Sequence, residues 1–131
     1  MSEQTYLNDT LYEYLKSVTP DEPPLLARLR DETSRLDMSF WQISATQGQF
    51  MRFLVTLVGA KRILEVGTFT GYSAICMADA MGPDGRLTCL DIDADYTAIA
   101  SRYWTEAGLA DRIDLRLRDG IEGMTALRAE K

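Results

Sequence analysis

A chain of 131 residues, 46% hydrophobic and 26% charged, has room for one domain with a substantial core and not for two. Its formal net charge of -6 is spread along the length and no basic run exceeds a pair, which argues against a nucleic-acid face and against an anchor for anionic lipid. No apolar run has the length of a membrane span, the polar, acidic Met1 to Asp9 is unlike a signal peptide, and the chain has no histidine, the commonest general base and metal ligand.

The first element predicted is a short amphipathic helix from Thr5 to Val18, with Leu7, Leu11, Tyr14, Leu15 and Val18 near one face. Pro20 ends it, and Pro23 and Pro24 suit the first turn of a second helix that runs to about Leu36. Asp37 to Ile43 is an apolar loop with Met38, Phe40 and Trp41. Ser44 and Gln47 have capping-box spacing for a third helix, whose buried stripe is expected to be Phe50, Phe53, Leu54, Leu57 and Val58 and whose end is Gly59. The pattern then alternates. Arg62 to Val66 is a strand, Gly67 to Gly71 a turn, Tyr72 to Met81 a helix, Arg86 to Leu90 a second strand and Ala94 to Ala107 a helix closed by Gly108. Ile113 to Leu117 is a third strand, with a short helix from about Ile121. Strand-helix-strand alternation of this kind implies an α/β fold with parallel strands and right-handed crossovers. Cys76 and Cys89 fall in apolar runs and read as buried free thiols of a cytoplasmic protein.

The segment Leu64-Glu65-Val66-Gly67-Thr68-Phe69-Thr70-Gly71 lies at a strand-to-helix junction, where glycine lets the backbone turn sharply and come close to a ligand. A dinucleotide fingerprint needs a middle glycine where Phe69 stands, and Glu65 adds negative charge beside the turn. Both features disfavour a pyrophosphate, hence an NAD-dependent reductase, and suit a ligand with a cationic ammonium and a sulfonium. Asp91 follows the second strand, twenty residues after Gly71, where a carboxylate either accepts hydrogen bonds from ribose hydroxyls or initiates the next helix. Asp93 reads instead as solvent-facing or as a cap of the next helix. Asp119-Gly120 after the third strand is either an ordinary turn or a loop reaching an adenine ring.

These residues carry a family resemblance. Gln42-Ile43-Ser44 with Gln47-Gly48-Gln49-Phe50, then Ile63 to Ala74, Leu90-Asp91-Ile92-Asp93, Tyr103-Trp104, Ala107-Gly108 and Arg112 to Leu117 resemble the caffeoyl-CoA and catechol O-methyltransferase-like family, over nearly the whole chain from Leu11 onward. The resemblance implies a class I, Rossmann-like methyltransferase fold: N-terminal helices over 1–60 and the βαβαβ cofactor-binding half over 61–131, truncated before a fourth strand. It implies S-adenosylmethionine as cofactor, with Glu65, Gly67 and Thr68 lining its methionine and ribose portions, Ser73 its carboxylate end, Asp91 its ribose hydroxyls, Gly120 its adenine and Ile43 contacting it from the preceding loop. Trp41 stands where such proteins often have methionine near the sulfonium, Ile43 where the residue is often polar, and Arg118-Asp119-Gly120 replaces a usual Gly-Pro-Ala.

The implied activity is methyl transfer to a hydroxyl of a catechol-like or phenolic small molecule. A divalent, Mg2+-like ion is expected only in the complete family member, since nothing after Leu117 matches the family's acidic metal segments. The alternative is a non-catalytic cofactor-binding or interaction module. A homo-oligomer or self-associating chain is expected, because the first strand would present an open edge.

Overall fold

The structure, a computed structural model, describes residues 8–130. Helix α1 is Asp9–Val18, α2 Pro24–Thr33 and α3 Ala45–Val58; strand β1 is Arg62–Val66, β2 Arg86–Asp91 and β3 Ile113–Leu117; α4 (Tyr72–Ala80), α5 (Ala94–Glu106) and α6 (Gly120–Ala129) follow the three strands in turn. Single 3-10 turns occupy Ser39–Trp41 and Ala110–Arg112.

The strands form one parallel sheet in the order β1-β2-β3. Val66 pairs with Leu90 and Asp91 with Leu117, so the carboxyl ends of all three strands finish on one side. Two further backbone bonds continue the ladder past the strands, Gly67 N to Leu90 O at 2.9 Å and Arg118 N to Asp91 O at 2.8 Å. The glycine turn, Asp91 and the Arg118 loop are thereby fixed along one rim.

The core lies between one sheet face and α2, α4 and α5. Leu87 and Cys89 of β2 meet Ala74, Ile75 and Ala78 of α4, Ala100, Tyr103 and Trp104 of α5, and Leu26 and Leu29 of α2. The other face carries α6, which approaches through its glycines: a Cβ on Gly123 would lie 2.6 Å from Leu90 Cδ1, and one on Gly120 2.7 Å from Val66 Cγ1. Both cysteines are buried free thiols, as their apolar runs suggest, and burial pushes the Cys76 thiol up to about 12.

The N-terminal helices depart from the sequence reading. Residues 5–7 of the first predicted helix lie outside the described residues, and α1 buries none of its side chains, Leu11, Tyr14, Leu15 and Val18 all being exposed. Helix α2 ends at Thr33, short of Leu36, where the backbone tightens into 3-10-like bonds such as Leu36 N to Thr33 O. In α3 the predicted stripe is on the wrong side. Phe50, Phe53, Leu54, Leu57 and Val58 face outward, and Gly48 and Val55 are the buried residues. Gly48 sets this: a Cβ there would meet Cys76 Sγ and Tyr72 Cε1 at 2.9 Å, so α3 packs on α4 along a narrow small-residue face. Ser44 accepts from Gln47 N at 3.1 Å, while the reciprocal half of the capping box is not among the hydrogen bonds formed. Gly59 ends the helix with φ +61°.

Candidate cofactor site

Asp91 organises the rim. Its Oδ2 accepts from Thr68 N at 2.7 Å and Phe69 N at 2.8 Å, and its Oδ1 from Asp93 N at 2.9 Å. A carboxylate has about four lone-pair positions, so these bonds leave roughly one, on Oδ1. The same contacts explain a backbone outlier: Phe69 is, among the described residues, the single non-glycine with positive φ, at 52°. A bulky residue in the left-handed region costs on the order of 1–3 kcal/mol, and the two charge-assisted bonds to Asp91 hold it there. Gly71 closes the turn with φ +83°, where a Cβ would also lie 2.6 Å from Trp104 Nε1, so glycine is required twice over.

Glu65 points from β1 to the core side and is 9% exposed. Ser73 Oγ donates to its Oε1 at 2.5 Å, and Cys89 Sγ lies 3.5 Å from its Oε2. Burial drives the Glu65 carboxyl above its ordinary value, and the Ser73 hydroxyl offsets part of that rise. The buried Thr68 Oγ1 lies close enough to bias this carboxyl, yet completes no hydrogen bond. An orphaned buried hydroxyl beside a desolvated acid is a polar cluster with unused capacity.

Two adjoining clefts open on the rim. The larger, about 490 Å³, is lined by Met38, Trp41, Gly67, Phe69, Asp91, Ile92, Asp93 and Tyr96. The smaller, about 80 Å³, runs past Ile43, Thr68 and Ser73, and Trp41, Gly67 and Phe69 border both. Of the seven residues singled out by resemblance, Gly67 and Asp91 line the larger cleft, and Ile43, Thr68 and Ser73 join Gly67 in the smaller. Glu65 sits behind Ser73. Gly120 is the first residue of α6, against Val66 and outside both cleft linings. Asp93 and Asp119 act as helix caps: Asp93 Oδ1 accepts from Asp95 N and Tyr96 N, and Asp119 Oδ1 from Ile121 N and Glu122 N.

Sequence reasoning missed part of the apolar wall, Ile92 and Tyr96. Ile92, flanked by two acids and 78% exposed, stands at the cleft mouth. Its signal was an isoleucine at a strand's carboxyl end, where a polar residue costs nothing. Tyr96, one turn into α5, had no signal of its own. Among the described residues no group of three or more His, Cys, Asp or Glu side chains is placed to hold a metal ion.

This rim, with a charged acceptor, backbone turn and apolar wall at the carboxyl ends of parallel strands, is where doubly wound folds bind nucleotide-like ligands. A family model described as O-methyltransferase matches residues 16–131. The chain belongs to the O-methyltransferase family. It is 36% identical over 126 residues to tricin synthase 1 of Oryza sativa subsp. japonica, covering 95% of this chain and 50% of that protein. It is 37% identical over 111 residues to caffeoyl-CoA O-methyltransferase of Eucalyptus gunnii, covering 83% and 45%. An O-methyltransferase from Bacillus cereus, solved in complex with SAH, superposes with a TM-score of 0.84 at 28% identity, over 93% of this chain and 56% of that one. The chain thus spans about half the length of the curated relatives it matches.

Proposed function

We propose that this chain is the S-adenosylmethionine-binding segment of an O-methyltransferase that acts on a catechol-like or phenolic hydroxyl. The observation that carries this reading is Asp91: it anchors the Thr68-Phe69 turn and keeps one acceptor position free toward the larger cleft. The residues fit the cofactor. The Asp91 Oδ1 position suits a ribose hydroxyl, and Ile92 offers an apolar surface for a purine. Ser73, backed by the buried Glu65 and the orphaned Thr68 hydroxyl, suits the amino-acid end. With one lone pair left, Asp91 accepts one ribose hydroxyl as it stands and a second only by giving up the Asp93 amide.

When bound, S-adenosylmethionine supplies an electrophilic methyl group on a sulfonium. The chain's own contribution is positional: the Gly67-to-Gly71 turn fixes the middle of the ligand, the acidic residues fix its polar ends, and the aromatic walls exclude water. The acceptor, its base and the divalent ion that would ionise it belong to the whole protein's reaction. The likeness to caffeoyl-CoA O-methyltransferase supports a phenolic acceptor.

Equilibrium dialysis with labelled S-adenosylmethionine tests the reading. The chain should bind saturably, and Asp91→Asn should weaken binding about 10- to 100-fold, equivalent to roughly 1.5–3 kcal/mol for a hydrogen bond to a charged group. Asp93→Asn, which retains a capping side chain, should change it little. Equal losses in both variants would mean that Asp91 is not the ribose acceptor. Binding of NADH in place of S-adenosylmethionine would overturn the assignment.

A further inference from the structure

Trp41 occupies the junction of the two clefts, bordering the larger one that holds Asp91 and the smaller one that holds Ser73. Its side chain belongs to a three-ring cluster. The Trp41 and Phe69 centroids are 5.7 Å apart at 72°, Phe69 and Tyr96 4.7 Å at 69°, and Trp41 and Tyr96 6.5 Å at 80°. Each ring meets the others edge to face, so the three faces turn in different directions and make a corner rather than a stack. Trp41 is 55% exposed while lining both clefts.

Given the proposed cofactor, what reaches that corner is set by covalent structure. A molecule with its ribose at Asp91 and its amino-acid end at Ser73 has its sulfur between them, at Trp41 and Phe69. We infer that Trp41 is a specificity-determining residue that distinguishes the cationic sulfonium cofactor from its neutral thioether product. A cation within about 6 Å of an indole centroid is attracted by the negative face of the ring, and tryptophan is the strongest such partner among the side chains. A neutral thioether gains contact with the ring but not this charge interaction. Asp91 and Asp93 line the same cleft, and their negative potential also favours the extra positive charge; both are unchanged when Trp41 is substituted, so substitution at Trp41 isolates the ring's share. The consequence for turnover is release: the site holds the sulfonium donor and lets go the product, whose sulfur is neutral. The inference rests on the cofactor assignment made above and adds the basis of selectivity.

The test is a matrix of dissociation constants, measured by calorimetry, for the parent chain, Trp41→Leu and Trp41→Phe with S-adenosylmethionine, S-adenosylhomocysteine and sinefungin, an analogue carrying an ammonium near the sulfonium position. Trp41→Leu should weaken S-adenosylmethionine and sinefungin by about three- to tenfold, the range expected for a partly desolvated cation–π contact, and change S-adenosylhomocysteine less than about twofold. Trp41→Phe, which keeps a ring, should retain most of the preference. Trp104, buried and donating to Gly71 O, is the sole remaining tryptophan in both variants, so its emission verifies that they are folded. Equal loss for all three ligands would make Trp41 a hydrophobic lid and overturn the inference while leaving the cofactor assignment standing. No loss for any ligand would also overturn it. A parent chain that binds none of the three would overturn the assignment itself, and this inference with it.

Discussion

Glu65 is the residue where local chemistry and stability conflict. Its backbone belongs to β1, but alternation along the strand turns the side chain toward the core, away from the exposed Leu64 and Val66. Burial raises its carboxyl above the ordinary 4.5, so the folded chain binds a proton more tightly than the unfolded chain does. Stability therefore falls as pH rises from about 4.5 toward the raised folded value, and the full cost is present above it. Glu65→Gln keeps an acceptor for Ser73 and removes the charge. Thermal melts across pH 4–8 should show the variant gaining on the parent as pH rises, with a flatter profile. A parallel pair of profiles would show that Glu65 is solvated in the native chain. The aspartates follow a different logic. Of the two readings of Asp93, solvent-facing or cap, the cap forms, because an acid just before an apolar-periodic segment meets orphan N–H groups whatever the tertiary fold. Asp119 caps the helix that follows it in the same local way. The bonds from Asp91 to Thr68 and Phe69 were not legible, since they join segments more than twenty residues apart.

Among the elements, the strands read most closely. Both β1 and β3 match their predicted limits, and β2 runs one residue further, because each apolar run is short and ends at a charged or glycine-bounded break. The error in α3 has a physical cause. A 3.6-residue apolar period marks a face that avoids water in the complete assembly, and it does not say which neighbour covers it. Here the large side chains lie opposite the face that meets α4, where Gly48 allows the close approach. Helix α2 is tied to the cofactor rim by a buried bond, Thr33 Oγ1 to Thr70 Oγ1 at 2.9 Å, and by Glu22, which accepts from Arg30 and from Tyr72 Oη. The Arg30 guanidinium holds the Glu22 carboxyl below its usual range. At the other end of the turn, Gly71→Ala demands both a left-handed backbone and a Cβ inside the Trp104-Ala100 contact. The combined strain and overpacking should cost about 2–5 kcal/mol, read as a lower urea midpoint at unchanged m-value. A loss under about 1 kcal/mol would mean that α4 and α5 shift apart at little cost.

At the scale of the molecule, the β1 side of the sheet face that carries α6 is open among the described residues. Leu64 is 44% and Val66 53% exposed, and a groove of about 370 Å³ runs between Leu64 and Met124, Leu127 and Arg128 of α6. Phe50, Phe53, Leu57 and Val58 add a second apolar surface on α3. An edge strand with free N–H and C=O groups beside such surface favours association. Sedimentation of the 131-residue chain at micromolar concentration should show concentration-dependent self-association. A sharp monomer at all concentrations, with cooperative unfolding, would show that the β1 edge is protected. No helix among the described residues is long and apolar enough to cross a membrane. Binding of S-adenosylmethionine at the rim formed by Gly67, Phe69 and Asp91 is followed through backbone and indole N–H resonances during titration with that cofactor. Saturable shifts are expected at Gly67, Thr68, Phe69, Ile92 and Asp93 and at the Trp41 indole, with the exposed face of α3 unmoved. Saturable shifts confined to the α6 groove or to α3, or no saturable shift at any residue, would contradict binding at this rim.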